Sequence, residues 1–204
     1  MKVYYLICGY RGSGKDSLYK WFCGDRTHEW RRLIYKTIPT ELLIDGINTV
    51  RIGFADSLKA EVLKLLGLPI FNHEMYKDKP LSEIENIVRT HICQPIDKNQ
   101  SLRDVYISYG TEKRRQDPEF WCQRLFERVA DEDSVCITDW RYPNEMEFFK
   151  DKGEVITIRV FRKDVPIPPE PVEHQLDGFK TDLVFIPPSD EEFEAFLRRF
   201  PQYA

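Results

Sequence analysis

Gly9-Tyr10-Arg11-Gly12-Ser13-Gly14-Lys15-Asp16-Ser17 follows directly on the apolar run Val3-Tyr4-Tyr5-Leu6-Ile7-Cys8, and this junction decides how the chain is read. The run has the composition of a strand buried on both faces. After it, Leu18, Trp21 and Phe22 recur at helical spacing. Strand, glycine-rich turn and helix, in that order, form a G-x-x-x-x-G-K loop. Gly9, Gly12 and Gly14 let backbone N–H groups turn inward on phosphate oxygens, and Lys15 supplies a mobile positive charge to the outer ones. The helix N-terminus points its positive dipole end at the same place. Arg11, Ser13 and Ser17 complete this candidate nucleotide-phosphate site. Asp16 stands where a hydroxyl residue usually follows the lysine. It can serve a metal ion, or only answer the dipole of the first helical turn, with Ser17 as the reserve hydroxyl.

Length and composition agree with a single enzyme-like domain. The chain has 204 residues, 42% hydrophobic and 31% charged, enough for one well-buried α/β domain over 1–204 and short for two. A net charge of −4 speaks against a protein that coats nucleic acid. No run approaches the roughly 18 apolar residues of a membrane span, so no membrane partner is expected. Met1-Lys2-Val3-Tyr4 runs straight into the first strand, which leaves no room for a signal peptide. Cys8, Cys23, Cys93, Cys122 and Cys136 are scattered, odd in number and without C-x-x-C spacing. They read as small buried hydrophobes, and a reducing, cytoplasmic setting follows.

Strand-like and helix-like stretches alternate along the chain, the pattern of a mostly parallel sheet covered by helices on both faces. Strands are expected at about 2–8, 48–54, 134–138, 155–161 and 182–186. Helices are expected at about 15–23, from Asp56 as N-cap to Gly67, from Ser101 to Gly110, from Asp117-Pro118 onward, and at 144–150. Ser189-Asp190-Glu191-Glu192 reads as a capping box opening the last helix. Residues 68–100 are polar and weakly periodic, an insertion with one helix near 81–91. The four prolines of Val165–Val172 make an extended connector.

Two further features bear on chemistry. Val135-Cys136-Ile137-Thr138-Asp139 is an apolar strand ending in an acid. Beside a phosphate loop such a carboxylate holds Mg²⁺, directly or through water, although strand-terminal Asp is also a common turn residue. Arginines then stand at expected loop positions: Arg11, Arg114, Arg115, Arg141, Arg159 and Arg162. Guanidinium forks suit phosphate oxygens, and Arg141 sits two residues past Asp139 at the mouth of the same strand. No nucleophile–base set suggests itself. That fits an acceptor that is itself an ionised phosphate and needs no general base.

Several short motifs, taken in order, resemble a known family. They are Gly12-Ser13-Gly14-Lys15-Asp16-Ser17, Phe54-Ala55-Asp56-Ser57-Leu58-Lys59, Tyr109-Gly110-Thr111-Glu112 with Arg115, Pro118-Glu119-Phe120-Trp121, and Asp139-Trp140-Arg141-Tyr142-Pro143-Asn144-Glu145. Together they look like the deoxynucleoside monophosphate kinases of bacteriophages and large viruses. His174-Gln175-Leu176-Asp177, followed by Asp182, resembles that family's His-x-x-Glu segment with Asp for Glu. Pro187-Pro188 departs from its usual polar turn. The likeness runs with gaps from residue 1 to about 197; residues 25–47 and 68–100 carry little of it.

The resemblance implies a P-loop three-layer α/β sandwich with a helical acceptor-binding insertion at about 68–100 and a lid or connector at about 159–176. It further implies ATP as donor, Mg²⁺, a deoxynucleoside monophosphate as acceptor, a possible homodimer, and the host cytoplasm if the source is viral. By the same likeness, Lys15 and its loop bind ATP with Arg162 in the lid, and Asp16 and Asp139 serve the metal. Asp56, Lys59, Arg115, Trp140 and Arg141 belong to the acceptor side, and Lys15, Arg115 and Arg141 carry the catalysis. Animal-type phosphomevalonate kinases share the Lys-Asp loop and a segment like Glu112-Lys113-Arg114-Arg115-Gln116-Asp117-Pro118, so a small phosphorylated metabolite is the alternative acceptor. A non-catalytic nucleotide-binding switch is a remote third reading.

Overall fold

The computed structural model describes residues 2–36, 49–69, 73–88 and 97–204. Its centre is a six-stranded sheet ordered β2-β6-β5-β1-β4-β3. The strands are β1 (Val3–Cys8), β2 (Arg31–Ile34), β3 (Val50–Ile52), β4 (Ser134–Ile137), β5 (Glu154–Val160) and β6 (Leu183–Ile186). All pairings are parallel except β2 with β6. Every residue of β1 is buried, as a central parallel strand covered on both faces requires.

The alternation along β1 sorts the helices to the two faces. Val3, Tyr5 and Ile7 pack with Leu18 and Phe22 of α1 (Lys15–Phe22), together with Leu183 and Phe185. On the opposite face Tyr4 lies 4.6 Å, ring to ring, from Phe149 of α6 (Pro143–Lys150). There Val184 and Ile186 pack on Phe196 of α7 (Asp190–Arg199), with Phe161, Phe200 and Tyr203. The expectation of a mixed α/β sheet with helices on both faces is met.

By its contacts the chain divides into two compact units, one of residues 1–53 and 126–204 and one of residues 54–125. The second holds α2 (Phe54–Leu66), α3 (Leu81–Val88), α4 (Leu102–Gln116) and the first part of α5 (Phe120–Arg128). Its core is aliphatic with a tyrosine rim: Val62, Leu63, Leu66, Leu81, Ile84, Leu102 and Tyr106 are buried together.

Several boundaries differ from those read in the sequence, each for a local reason. The helix expected to start at Asp56 begins at Phe54, which puts Asp56 inside the first turn. The helix capped by Ser101 does not end at Gly110 but runs on to Gln116. Gly110 stays in register because a side chain there would meet Leu58 Cδ2 at 3.0 Å, and Trp121 Nε1 donates to the Gly110 carbonyl at 3.1 Å. Asp117 is the C-cap of α4, where Pro118 drives it to φ −143°, ψ 107°, and it also opens the turn into α5, its Oδ1 accepting from Glu119 N at 2.9 Å. Ser189 Oγ accepts from Glu192 N at 3.2 Å, but the Glu192 carboxylate turns away to accept from Lys163 N at 2.8 Å, so only half of the expected box forms. Strand β2 was not anticipated. Cys8, Cys122 and Cys136 are buried, Cys23 is exposed, and Cys93 lies outside the described residues, as do residues 37–48.

Phe196 is fully buried among Phe161, Phe200 and Tyr203, with ring centroids 5.0–5.7 Å away. Phe196→Ala should therefore cost about 3–5 kcal/mol. Chemical denaturation followed by far-ultraviolet circular dichroism measures it, and a loss below about 1 kcal/mol would contradict this packing.

Candidate functional site

Parallel register brings three strand ends level. Leu6 pairs with Ile137 on one side of β1, and Cys8 pairs with Arg159 on the other. Continuing the first register places Asp139 beside Cys8, the last residue before the glycine-rich loop. These ends form the carboxyl edge of the parallel part of the sheet, where α/β sheets bind ligands.

The loop has the backbone that its glycines predict. Gly9, Gly12 and Gly14 take φ values of 145°, 87° and 97°. A side chain at Gly9 would stand 2.4 Å from the Val160 carbonyl and 2.6 Å from Ser13 Oγ, so only glycine lets the loop lie against the end of β5. Gly14 is the N-cap of α1 in left-handed conformation. Ser13 is 2% exposed, and among the described residues its Oγ has no hydrogen-bond partner. Arg11 and Gly12 are exposed at the loop's crest.

Lys15 folds back across this loop, donating to the carbonyls of Gly9 at 2.7 Å and Tyr10 at 3.0 Å. Burial lowers its pKa, and the nearby positive charge of Arg141 lowers it further, opposed by Glu173, Cys8 and Asp139. That balance places Arg141, Asp139 and Glu173 within electrostatic reach of Lys15. Asp139 lies against the end of β3, where a side chain at Gly53 would meet its carboxylate at 2.8 Å. The missing Cβ at Gly53 makes room for that acid.

The turn after Asp139 is tied down by Glu145, 1% exposed. Its carboxylate accepts from Arg141 N at 3.0 Å and Tyr142 N at 3.1 Å, closing the start of α6. Arg141 thus leaves the strand mouth from a fixed backbone, and its guanidinium donates to the Glu173 carboxylate. Arg162 also reaches the loop, its Cδ 3.9 Å from where a Gly14 side chain would begin.

Asp16 is exposed and paired with Arg51 of β3 at 3.0 Å. Mg²⁺ takes one or two carboxylates plus substrate phosphates, and Asp139 and Asp16 are the carboxylates expected to serve it. Asp16 can join only by sharing or leaving Arg51. Among the described residues no group of three or more His, Cys, Asp or Glu side chains could hold a metal ion.

Two sequence-predicted residues have a different place. Trp140 is 2% exposed, its indole donating to Tyr142 O at 2.8 Å and its ring edge-on to Phe179. It offers no open face to an acceptor and instead wedges the turn that carries Arg141. Arg159 is not a loop residue. It lies in β5, 2% exposed, bonded to the carbonyls of Leu176 and Phe179 and to Tyr203. Asp56, Lys59 and Arg115 belong to the second unit. There Lys59 Nζ donates to Glu74 Oε1 at 2.6 Å, and Arg115 pairs with Glu112 at 2.8 Å on the exposed side of α4. Against the burial that would raise it, hydrogen bonds from Lys59 and Lys77 pull the Glu74 carboxyl down to about 2.

Sequence reasoning named His174 and Asp177 but neither Arg199 nor the hold that these residues have on Tyr10. Its hydroxyl donates to Asp177 Oδ2 at 2.8 Å and accepts from Arg199. Asp177 also takes His174 Nδ1 at 2.8 Å, while His174 Nε2 stands 2.7 Å from the Pro168 carbonyl. Both ring nitrogens face acceptors, an arrangement that favours the protonated imidazole. This network ties the segment 168–177 to the glycine-rich loop. A cleft of about 310 Å³ opens beside it, lined by Tyr10, Phe161, Lys163, Val165, Ile167 and Arg199 among others. His174 in its His-x-x-Asp spacing was the one signal of this network in the sequence.

No known protein-family model matches the chain, and no curated protein matches it significantly. Among the described residues no helix is long and apolar enough to cross a membrane.

The hydrogen bond to Asp177, seconded by that to Pro168 O, raises His174 above its ordinary 6.5. Stability from a raised histidine is fully present below the unfolded value and lost as pH rises through the folded one. Proton NMR should place the His174 midpoint above 6.5, and Asp177→Asn should return it towards 6.5. The stability gap between wild type and Asp177→Asn should shrink as pH rises through that midpoint. A wild-type midpoint at or below the ordinary value would contradict the geometry.

Proposed function

We propose that this chain is an ATP-dependent phosphotransferase whose acceptor is itself a phosphate ester, with a deoxynucleoside monophosphate as the acceptor favoured by its motifs. The observation that carries the reading is the Lys15 loop facing Asp139 and Arg141 at level strand ends. Three glycines with positive φ and a helix N-terminus make a cradle for the donor's phosphates. Lys15 is already at the cradle, bound to two of its carbonyls, and needs only to exchange them for phosphate oxygens. The unpartnered Ser13 hydroxyl supports the same reading.

In this mechanism the donor's β- and γ-phosphates lie on the N–H groups of residues 12–15 with Lys15 against their outer oxygens. Asp139 would hold Mg²⁺, with Asp16 as second carboxylate once it leaves Arg51, and the bound metal would supply charge screening on the phosphates. Arg141 grips the acceptor's phosphate. An oxygen of that phosphate forms a bond to the γ-phosphorus while the bond to the β,γ-bridging oxygen breaks, and ADP departs with that electron pair. The attacking oxygen is already ionised near neutral pH, so no side chain takes a proton. Lys59 and Arg115 are the acceptor-side cations of the second unit. Arg162 lies where it can cover the donor.

The deciding experiment is ADP release in a coupled assay over a panel of nucleoside and deoxynucleoside monophosphates plus phosphomevalonate. The account expects turnover with a deoxynucleoside monophosphate, with dTMP or dGMP favoured by resemblance. Turnover with phosphomevalonate alone would replace the acceptor and keep the site. Lys15→Ala should lower kcat by about 10²–10³-fold, the scale of losing one charge-stabilising group at a transition state. Arg141→Ala should lower kcat/KM for the acceptor by at least ~100-fold and leave ATP affinity nearly unchanged. A nucleotide-binding switch would instead hydrolyse ATP slowly and ignore every acceptor.

A further inference from the structure

The Arg141 guanidinium has a carboxylate on it. Glu173 sits in a one-turn 3-10 segment, Pro171–His174, and its side chain is only 10% exposed. The segment is itself pinned: Glu173 N donates to Glu170 O at 3.0 Å, and His174 is bound on both ring nitrogens. Arg141 is equally fixed, through Glu145 on its backbone. Two anchored groups therefore meet, one at the end of β4 and one from the segment that precedes β6.

This pair differs from the other cation–carboxylate pairs at candidate acceptor residues. Arg115 with Glu112 is a same-helix pair with side chains 72% and 49% exposed, and such pairs contribute little. Lys59 shares a half-exposed Glu74 with Lys77. Glu173 is shielded from water, so removing its partner leaves a desolvated negative charge. It is also near enough to raise the Lys15 pKa against burial and Arg141.

We infer that Glu173 is a specificity-determining residue that reserves Arg141 for phosphate monoester dianions and excludes singly charged phosphodiesters. The inference rests on the reading of Arg141 as the acceptor-phosphate grip. A ligand of one negative charge that displaces Glu173 replaces like with like and leaves the carboxylate unpaired. A dianion brings one charge more, enough to hold Arg141 against that loss. A monoester's second ionisation lies near pH 6, so it is the dianion at neutral pH, whereas a diester stays a monoanion. The site would then take terminal 5′-phosphates and reject internucleotide phosphates, free nucleic acid among them.

The test uses methyl phosphate and dimethyl phosphate, which carry no base, titrated into the full chain at pH 7.5. Binding is read from the backbone amide shift of Arg141. Wild type should prefer the monoester by at least ~10-fold, and Glu173→Gln should bring the preference below ~3-fold by tightening the diester. Glu173→Asp keeps the charge on a shorter stem and should stay on the wild-type side. Should Glu173→Gln fail to fold, the wild-type preference at pH 7.5 against pH 5, where the monoester is a monoanion, carries the test: it should collapse at the lower pH. An unchanged preference in Glu173→Gln, or in wild type at pH 5, overturns the role of Glu173. If Arg141→Ala still weakens monoester binding in that case, the acceptor reading survives. Monoester binding that is indifferent to Arg141→Ala overturns both.

Discussion

The parallel pairing of β1 with β4 and β5 is the constraint on which the site depends. Leu6 opposite Ile137 and Cys8 opposite Arg159 bring the loop after β1, the Asp139 turn after β4 and the approach to Arg162 after β5 to one edge of the sheet. A slip of one residue in either ladder would turn Tyr5 and Ile7 away from α1 and move the strand ends out of line. The burial of all six β1 residues makes that slip costly, so the same contacts that build the core also level the site. Gly9 and Gly53 complete the arrangement by lacking the atoms that would collide with Val160 O and with the Asp139 carboxylate.

The charges at that edge are balanced internally. Lys15 rests on two carbonyls of its own loop, Arg141 on Glu173, Asp16 on Arg51, and Tyr10 between Asp177 and Arg199. Neighbouring cations repel one another, and the pKa of Lys15 is lowered first by burial and then by the charge of Arg141. Each of these cations is held by an acceptor close to it. The segment 168–177 supplies two of the holders, Glu173 and Asp177, and stays closed on the loop through the doubly bonded His174.

How much of this was legible in the sequence depends on the range of the interaction. The strand–loop–helix at 3–22 is written in consecutive residues, and so are the caps at Ser101 and Ser189 and the strand ending in Asp139. Strand β2 was not legible, because Arg31-Arg32-Leu33-Ile34 is short, half charged and antiparallel at the sheet edge, with no face buried enough to impose a period. Arg159 looked like a loop cation because a buried arginine in a strand makes sense only with the carbonyls of Leu176 and Phe179 in place. The burial of Trp140 was hidden for the same reason: the Phe179 ring that covers it comes from a distant segment. The Arg141–Glu173 pair joins residues 32 apart with no shared motif.

Backbone amide shifts of the labelled chain on titration with ATP, with and without Mg²⁺, test the central claim most directly. The account predicts that shifts centre on residues 9–17, extend to Arg162, and are lost in Lys15→Ala while the fold persists. Shifts that spare the glycine-rich loop, or that are the same in Lys15→Ala, would contradict it.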